Sequence, residues 1–549
     1  MHKAMKPVIL LSRVCPIPIA LNNAHAFTSF VCKHRLIDRA LPIAATLLAS
    51  LTITFPAFAQ FPQPQTQQAT PPVQLPLSGR TAQSNGSVTT TETPVPGVTT
   101  SVDTLNFNVQ VQGQYSGSTP GIAQMPFNGK LGFHEAILRA LAFNLGQTGV
   151  TQALRQAQGQ ARSSRSSLLP NITGTALENV ETEDLRAYGF RFNFPGYAIP
   201  TVIGPFNYVD FRAHLSQTVL DLTALNNYRA MNAVTQASRY SAQDARVLIV
   251  LAVGGSYLQA TAAKARLAAE EAQVKAANAV YQQSLEQYNR GVLAKIDADK
   301  NQVQLLTEQQ RLLTLQNEYA KQKINLARMI GLPVSDNYEL TDEIPYAPAM
   351  PITVDDALKQ ALESRADLKA ADAQVRAAER AISAAHAERY PSVGVTADFG
   401  GIGVAPGQLE TTYTAAANVK IPIWQGGRVE GDVEQAAAVL AQRRAEYSDL
   451  KGQIESDVRT AFLDLRAAAS QVDVAQRNVQ VTREAAELTH QKLEAGVTTT
   501  VDYTQAQETA TNAEFDYINA VFDHNIAKLS LARAMGRGAK DLPQFLKLP

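Results

Sequence analysis

The chain is nearly free of cysteine. Cys15 and Cys32 are its only two cysteines in 549 residues, and both precede the export cleavage site predicted below. A mature chain without cysteine has neither a disulfide framework nor a thiolate metal site. The eight histidines are scattered without metal-ligand spacing, and we therefore predict no metal site.

The chain also lacks an excess of either charge. Lys plus Arg and Asp plus Glu both number 49, which argues against nucleic acid or another highly charged partner. The sequence contains no nucleophile motif, no glycine-rich phosphate loop and no paired catalytic constellation. We therefore predict neither an enzyme nor a cofactor.

Residues 33–59 have the pattern of an export signal, and residues 1–59 are assigned to an N-terminal extension and signal peptide. A basic start is followed by a mainly apolar run at 40–55 and by Ala57-Phe58-Ala59, an A-x-A-type cleavage site. An uncleaved membrane anchor is the alternative, but the run is short for crossing a bilayer. Export of the mature chain is the prediction.

The segment 60–130 is rich in Pro, Gln, Thr, Ser and Gly. Such a composition buries too little apolar surface to offset the entropy lost on ordering, so we predict a flexible segment. Leu105, Phe107, Val109 and Val111 alternate with polar residues and could form one short strand there.

The second half of the chain repeats the first. A shift of 205 positions places Gly291-Val292 on Gly496-Val497, and a shift of 221 positions places Pro170 on Pro391. Units of this length are too long for solenoid repeats and indicate a duplicated structural module. We predict repeat 1, an inter-repeat linker, repeat 2 and a C-terminal tail at 131–335, 336–352, 353–540 and 541–549.

Each repeat contains the same parts in the same order. A helix of about forty residues is predicted first, at 131–168 and 353–389, and each ends before a proline. Two strands, a long proline-free helix and a return helix that ends at Gly331 or Gly536 follow. The predicted strands are 171–180, 207–219, 392–399 and 412–423, and the predicted long helices are 226–290 and 429–495. Seven-residue apolar stripes indicate coiled-coil packing of these long helices.

Four strands cannot close a membrane barrel, because such barrels have at least about eight strands. Open sheet edges are not tolerated in lipid. If the strands enter a membrane, several copies must therefore share one barrel, and three copies would supply twelve strands. The pattern alone leaves open a small soluble β-domain that caps a coiled coil.

The duplicated order resembles the TolC-like outer-membrane efflux and secretion channels. The resemblance covers roughly 131–540 and is strongest in 421–428 and in the hairpin tips 288–292 and 493–497. It implies a mainly α fold with a small β part. Duplicated long antiparallel helical hairpins would form a trimeric α-barrel in the periplasm, continued by a shared 12-stranded transmembrane β-barrel with four strands per protomer.

The resemblance also implies a gate at the hairpin tips. In the family, acidic side chains ring the periplasmic constriction, and Asp297 and Asp502 match such positions. Three copies of a carboxylate around a narrow pore would favour cations. A first-turn Asp that stabilises the return helix is the alternative. The chain departs from the family pattern at Gln505 and Thr498, where some members carry an acidic and a basic residue.

Other candidate positions lie at turns. Gly291 and Gly496 are predicted as hairpin-tip turns or hinges. Pro422, Trp424, Gly426 and Gly427 are predicted at the membrane interface or at the strand-to-helix junction. Trp424 is the chain's single tryptophan.

The predicted function is an outer-membrane channel of a tripartite export system. The expected partners are two further copies of the chain, a periplasmic adaptor, an inner-membrane transporter and outer-membrane lipid, without nucleic acid. The alternatives are a periplasmic adaptor, which usually bears one hairpin rather than two, and a non-conducting trimeric coiled-coil surface stalk.

Overall fold

The computed structural model describes residues 87–96, 103–120, 125–191, 200–335, 337–342, 346–348 and 351–537. The predicted signal peptide and the C-terminal tail lie outside the described residues. The described elements follow one another in this order: β1 (Val88–Pro96), β2 (Asp103–Val111), a 3₁₀ turn (Gly113–Ser116), β3 (Lys130–Leu131), α1 (Phe133–Phe143), α2 (Leu145–Ser166), β4 (Asn171–Asp184), β5 (Val202–Leu220), α3 (Leu222–Asn289), α4 (Lys295–Ile330), β6 (Glu339–Leu340), α5 (Val354–Ser364), α6 (Ala366–Ala387), β7 (Ser392–Gly403), β8 (Leu409–Lys420), α7 (Arg428–Glu494) and α8 (Thr500–Ala534).

A β-hairpin lies in the segment that was expected to be flexible. Strands β1 and β2 pair in antiparallel fashion along their whole length. Phe107 of β2 is 4% exposed, and its backbone N–H donates to the Asp523 carboxylate of α8 at 3.0 Å. The expectation of flexibility is wrong for these residues, because β2 contributes apolar side chains to a core formed by distant helices. The alternation of apolar and polar residues predicts β2. The threonine-rich β1 has no such alternation.

The forty-residue helix expected at the start of each repeat is two helices. The break falls at Asn144 between α1 and α2, and at Arg365 between α5 and α6. Asn144 accepts a hydrogen bond from the Gly146 N–H, as an N-cap does. Arg365 forms ion pairs with Asp367 at 2.7 Å and Asp457 at 2.9 Å. The two breaks are 221 positions apart, which is the offset between the two repeats in this part of the chain. The break therefore occurs at the same place in both repeats.

The four predicted strands form one antiparallel sheet in the order β4-β5-β7-β8. The first three extend beyond their predicted bounds, and β5 runs from Val202 to Leu220. Strand β8 ends at Lys420 rather than at 423. Pro422 follows closely and has no N–H to donate to the ladder.

The long helices agree closely with the prediction. Helices α3 and α7 have 68 and 67 residues, so each extends about 100 Å at 1.5 Å per residue. Each turns back into a shorter helix, α4 with 36 residues and α8 with 35. Helix α3 packs against α4, α6 and α8, and α7 packs against α8 and α6.

The main core surrounds the middle of α3. Ile249 and Tyr257 are fully buried there, and the Tyr257 hydroxyl donates to the Leu131 carbonyl at 3.1 Å. The ring of Phe133 meets that of Tyr257 edge-on at 5.5 Å. Among the described helices, only α3 has a stretch long and apolar enough to cross a membrane, and 67% of that stretch is buried in the chain's own packing.

Glycine allows close packing of β2 on this part of α3. A Cβ on Gly255 would lie 2.6 Å from a Val109 methyl group, which is well inside van der Waals contact. The short parallel pair β3–β6 joins the start of repeat 1 to the inter-repeat linker.

Candidate functional site: the strand sheet and the hairpin tips

One face of the four-stranded sheet is polar. Arg212 pairs with Asp210 at 2.9 Å along β5. His214, two residues further on, contacts Asp398 of β7 through Nδ1 and the Thr175 hydroxyl of β4 through Nε2 at 3.1 Å. Because residues paired across neighbouring strands share a face, these side chains form one polar surface.

The opposite face of the sheet is apolar and exposed. The strand register places six large side chains there, each at least 43% exposed: Ile172, Val180, Phe211, Phe399, Tyr413 and Val419. An open apolar surface of this kind marks an interface with protein or membrane. Among the described strands, β4 and β8 have one sheet neighbour each, so the sheet also has two edges that no described strand pairs.

The two hairpin tips have the same backbone geometry. Gly291 follows α3 with φ +77°, and Gly496 follows α7 with φ +70°. The Val292 N–H donates to the Gln287 carbonyl at 2.9 Å, and the equivalent Val497 N–H bonds back into α7 at 2.9 Å. This is the pattern of a glycine-ended helix. Both glycines have open space around them, so their positive φ rather than crowding requires glycine.

The two candidate gate carboxylates lie in the first turns of α4 and α8 and are held differently. The Lys300 ammonium group donates a hydrogen bond to the Asp297 carboxylate at 3.3 Å. Asp502 forms a capping box with Thr499: the Thr499 hydroxyl donates to Asp502 at 2.7 Å, and the Thr498 hydroxyl donates at 3.0 Å. These hydrogen bonds, the Thr499 hydroxyl first, lower the pKa of Asp502. Asp502 therefore combines the capping role with a stable negative charge.

The strand-to-helix junction after β8 presents its tryptophan to the surroundings. Trp424 is 86% exposed, so it is not packed into the junction within its own protomer. Gly426 and Gly427 have φ of +63° and +82° and form the turn into α7. Arg428 then pairs with Glu388 at 2.7 Å, which ties the start of α7 to the end of α6.

A cavity of about 330 Å³ lies near the tips, between α3, α7 and α8. Arg483 and Glu514 form an ion pair at 2.6 Å along its wall. The rings of His490 and Tyr503 also line it and lie 5.1 Å apart. The second hairpin is thus incompletely packed against the first at the end that carries the tips.

The outer helices of the two hairpins carry exposed apolar stripes. Leu306 and Leu313 of α4 are more than half exposed, and so are Val474, Val481 and Leu488 of α7. Within each stripe the spacing is seven residues, as in a coiled-coil seam. The stripes have no partner within the described residues, because α4 packs mainly on α3 and α7 mainly on α8.

Sequence reasoning missed Thr499 as the residue that fixes Asp502, although the Thr499-x-x-Asp502 spacing is a recognisable capping signal. No group of three or more His, Cys, Asp or Glu side chains within the described ranges could hold a metal ion.

Comparison with known proteins identifies one protein family that matches this chain. The model of the Outer membrane efflux protein family matches residues 149–332 and 357–537, which fall in the two halves of the duplication. Outer membrane protein OprJ of Pseudomonas aeruginosa is 25% identical over 405 residues, which are 70% of this chain and 80% of OprJ.

Two solved structures share the fold. The CmeC outer membrane channel of Campylobacter jejuni superposes with a TM-score of 0.64 at 18% identity, covering 76% of this chain and 88% of CmeC. The outer membrane protein VceC of Vibrio cholerae superposes with a TM-score of 0.62 at 19% identity, covering 74% of this chain and 96% of VceC.

Proposed function

This chain belongs to the outer membrane efflux protein family, and we propose that three copies of it form one conduit that exports substrates delivered by an inner-membrane transporter and a periplasmic adaptor. It is an outer-membrane protein whose helical part extends into the periplasm. Family members are channels rather than enzymes, and we assign the chain no catalytic role.

The four-stranded sheet is the observation that carries this proposal. It has a polar face, an apolar exposed face and two unpaired edges. In lipid the edges require partners, and pairing β8 of one copy with β4 of the next satisfies both edges when the ring closes. Three copies then supply twelve strands, with the apolar face toward lipid and the His214 face toward the lumen.

The helical stripes support the same assembly. Leu306 and Leu313 follow Gly291 by 15 and 22 residues, and Val481 and Val474 precede Gly496 by 15 and 22 residues. Equal distances from the tips place the two stripes at similar heights, so α4 of one copy fits against α7 of the next. A closed ring of such head-to-tail contacts buries every stripe.

At the junction after β8, we propose that Trp424 lies at the membrane interface. Its exposure next to the exposed Ile421 and Ile423 suits the interfacial aromatic belt of membrane proteins. At the other end, we propose that Asp297 and Asp502 face the closed pore, and that Gly291 and Gly496 let the tips reorient when the partners engage.

Planar-bilayer recording of the purified full-length protein tests the proposed function. We expect a trimer in detergent that produces discrete single-channel conductance steps. Neither the periplasmic adaptor nor the surface stalk would conduct. A folded trimer that never conducts, or a water-soluble monomer, would contradict the proposal.

A further inference from the structure

Two carboxyl groups are buried against each other inside the first hairpin. Glu270 of α3 and Glu308 of α4 are 0% and 3% exposed. Glu308 accepts a hydrogen bond from the Gln304 amide at 2.6 Å, whereas neither oxygen of Glu270 has a hydrogen-bond donor within the described structure. Burial, followed by the contact with Glu308, raises the pKa of Glu270 to about 7. One proton shared by the pair removes the repulsion between the two carboxylates.

Arg311 connects this pair to the second hairpin. Its Nε lies 3.6 Å from Glu270, and its Nη2 donates to the Asn512 side chain of α8 at 3.2 Å. The guanidinium also stacks on the ring of Phe515 of α8, 4.6 Å from its centre. The charged groups that act on Glu270 are Glu308 and Arg311, both on α4. Helix α8 contributes the uncharged Asn512 and Phe515.

We propose that these groups form a proton-dependent latch that holds the first hairpin to α8, about 30 Å along the helices from the tips. The inference rests on the proposed function, because it assigns the latch to the closed state of the conduit. Arg311 and Asn512 act as positioning residues, and the Glu270–Glu308 pair is the proton-sensitive element.

The latch works through the balance of buried charge. When the pair holds one proton, one negative charge faces the single positive charge of Arg311. When both carboxyls are ionised, the second negative charge has no counter-charge, and buried unpaired charge is strongly unfavourable. Withdrawal of Arg311 from Asn512 toward the carboxylates brings its positive charge closer to the pair. The same movement breaks the contact with α8 and so loosens the first hairpin from that helix.

The variant Glu270→Gln tests the latch, because it keeps the shape of the side chain and removes its titration. Its matched control is Glu271→Gln, which removes the same charge from the neighbouring exposed position. Closed-state conductance of the full-length trimer is recorded in planar bilayers at about pH 6 and about pH 8. We expect severalfold higher conductance at the higher pH in the wild type and in Glu271→Gln, and no such rise in Glu270→Gln.

A second readout does not depend on conduction. A carboxyl whose pKa is higher in the folded than in the unfolded state loses stabilisation as pH rises from about 4.5 to about 7. Glu270→Gln should therefore raise the melting temperature of the full-length protein at about pH 8 but not at about pH 4. Asn512→Ala, which removes the acceptor of Arg311 on α8, should raise closed-state conductance even at about pH 6.

The outcomes separate the latch from the proposed function. A conducting trimer whose pH response is the same in Glu270→Gln as in the wild type overturns the latch and leaves the conduit standing. A folded trimer that never conducts overturns the conduit, while the melting comparison still decides whether the carboxyl pair holds a proton at neutral pH.

Discussion

At the scale of single residues, the two proposed gate carboxylates differ in their surroundings. Asp502 is held by the hydroxyls of Thr498 and Thr499, and these bonds keep it ionised. Asp297 is paired with Lys300, whose side chain is more than half exposed, and exposed pairs of this kind contribute little to stability. The duplication has therefore kept the acidic positions while changing what orients them. Asp502 has the better defined position and Asp297 the greater freedom to turn toward a pore.

Removal of both carboxylates tests their role at the pore. We expect Asp297→Ala combined with Asp502→Ala to raise the closed-state conductance and to reduce the preference for cations, because the ring of negative charge is lost. Asp299→Ala is the control, since it removes an exposed acid two residues from Asp297. Unchanged conductance and selectivity in the double variant would leave Asp502 with its capping role and Asp297 with the role of a first-turn acid.

At the scale of elements, the N-terminal β-hairpin depends on one close approach. Gly255 leaves a gap in the side chains of α3 where β2 crosses it, and Val109 fills the space above this glycine. A glycine inside a helix costs about 0.5–1 kcal/mol relative to alanine. At Gly255 this cost is offset by the packing of β2, because a larger residue would exclude the strand.

A single methyl group at this contact should release the hairpin. We expect Gly255→Ala to destabilise its docking by about 1–3 kcal/mol, the usual cost of overpacking, and to increase proteolysis within residues 88–111. Adding Val109→Ala should partly restore protection, because it removes the nearest methyl group. Gly452→Ala on α7, where a Cβ meets open space, should leave the hairpin protected. Equal proteolysis of the Gly255 and Gly452 variants would show that the contact is unimportant.

At the scale of the whole molecule, one protomer leaves three kinds of surface unsatisfied. They are the sheet edges, the apolar sheet face and the helical stripes on α4 and α7. Each has a different physical requirement: backbone hydrogen bonds, an apolar phase and side-chain packing. A closed ring of copies embedded in a membrane meets all three requirements.

Cysteine cross-linking tests the ring, because the chain has no cysteine after Cys32. We expect Leu306→Cys combined in turn with Val474→Cys, Val481→Cys or Leu488→Cys to give disulfide-linked dimers and trimers for at least one pair. The single variant Leu306→Cys is the control and should give none, because its symmetry copies are separated by the rest of the hairpins. Monomer alone from all three pairs would exclude the proposed contact between α4 and α7.

The sequence by itself determined the order of the repeated elements, the lengths of the long helices and the turns at their tips. Their signals are local: prolines after the first helices, proline-free long helices, and tip glycines that adopt a positive φ. Only the tertiary structure decided the breaks at Asn144 and Arg365, the docking of β1–β2 and the burial of Glu270 against Glu308. These features depend on partners that are remote in sequence, as in the hydrogen bond between Phe107 and Asp523 across 416 positions. The pattern of residues along a short segment cannot identify such a partner, because the contact forms and contributes free energy only when the chain has folded.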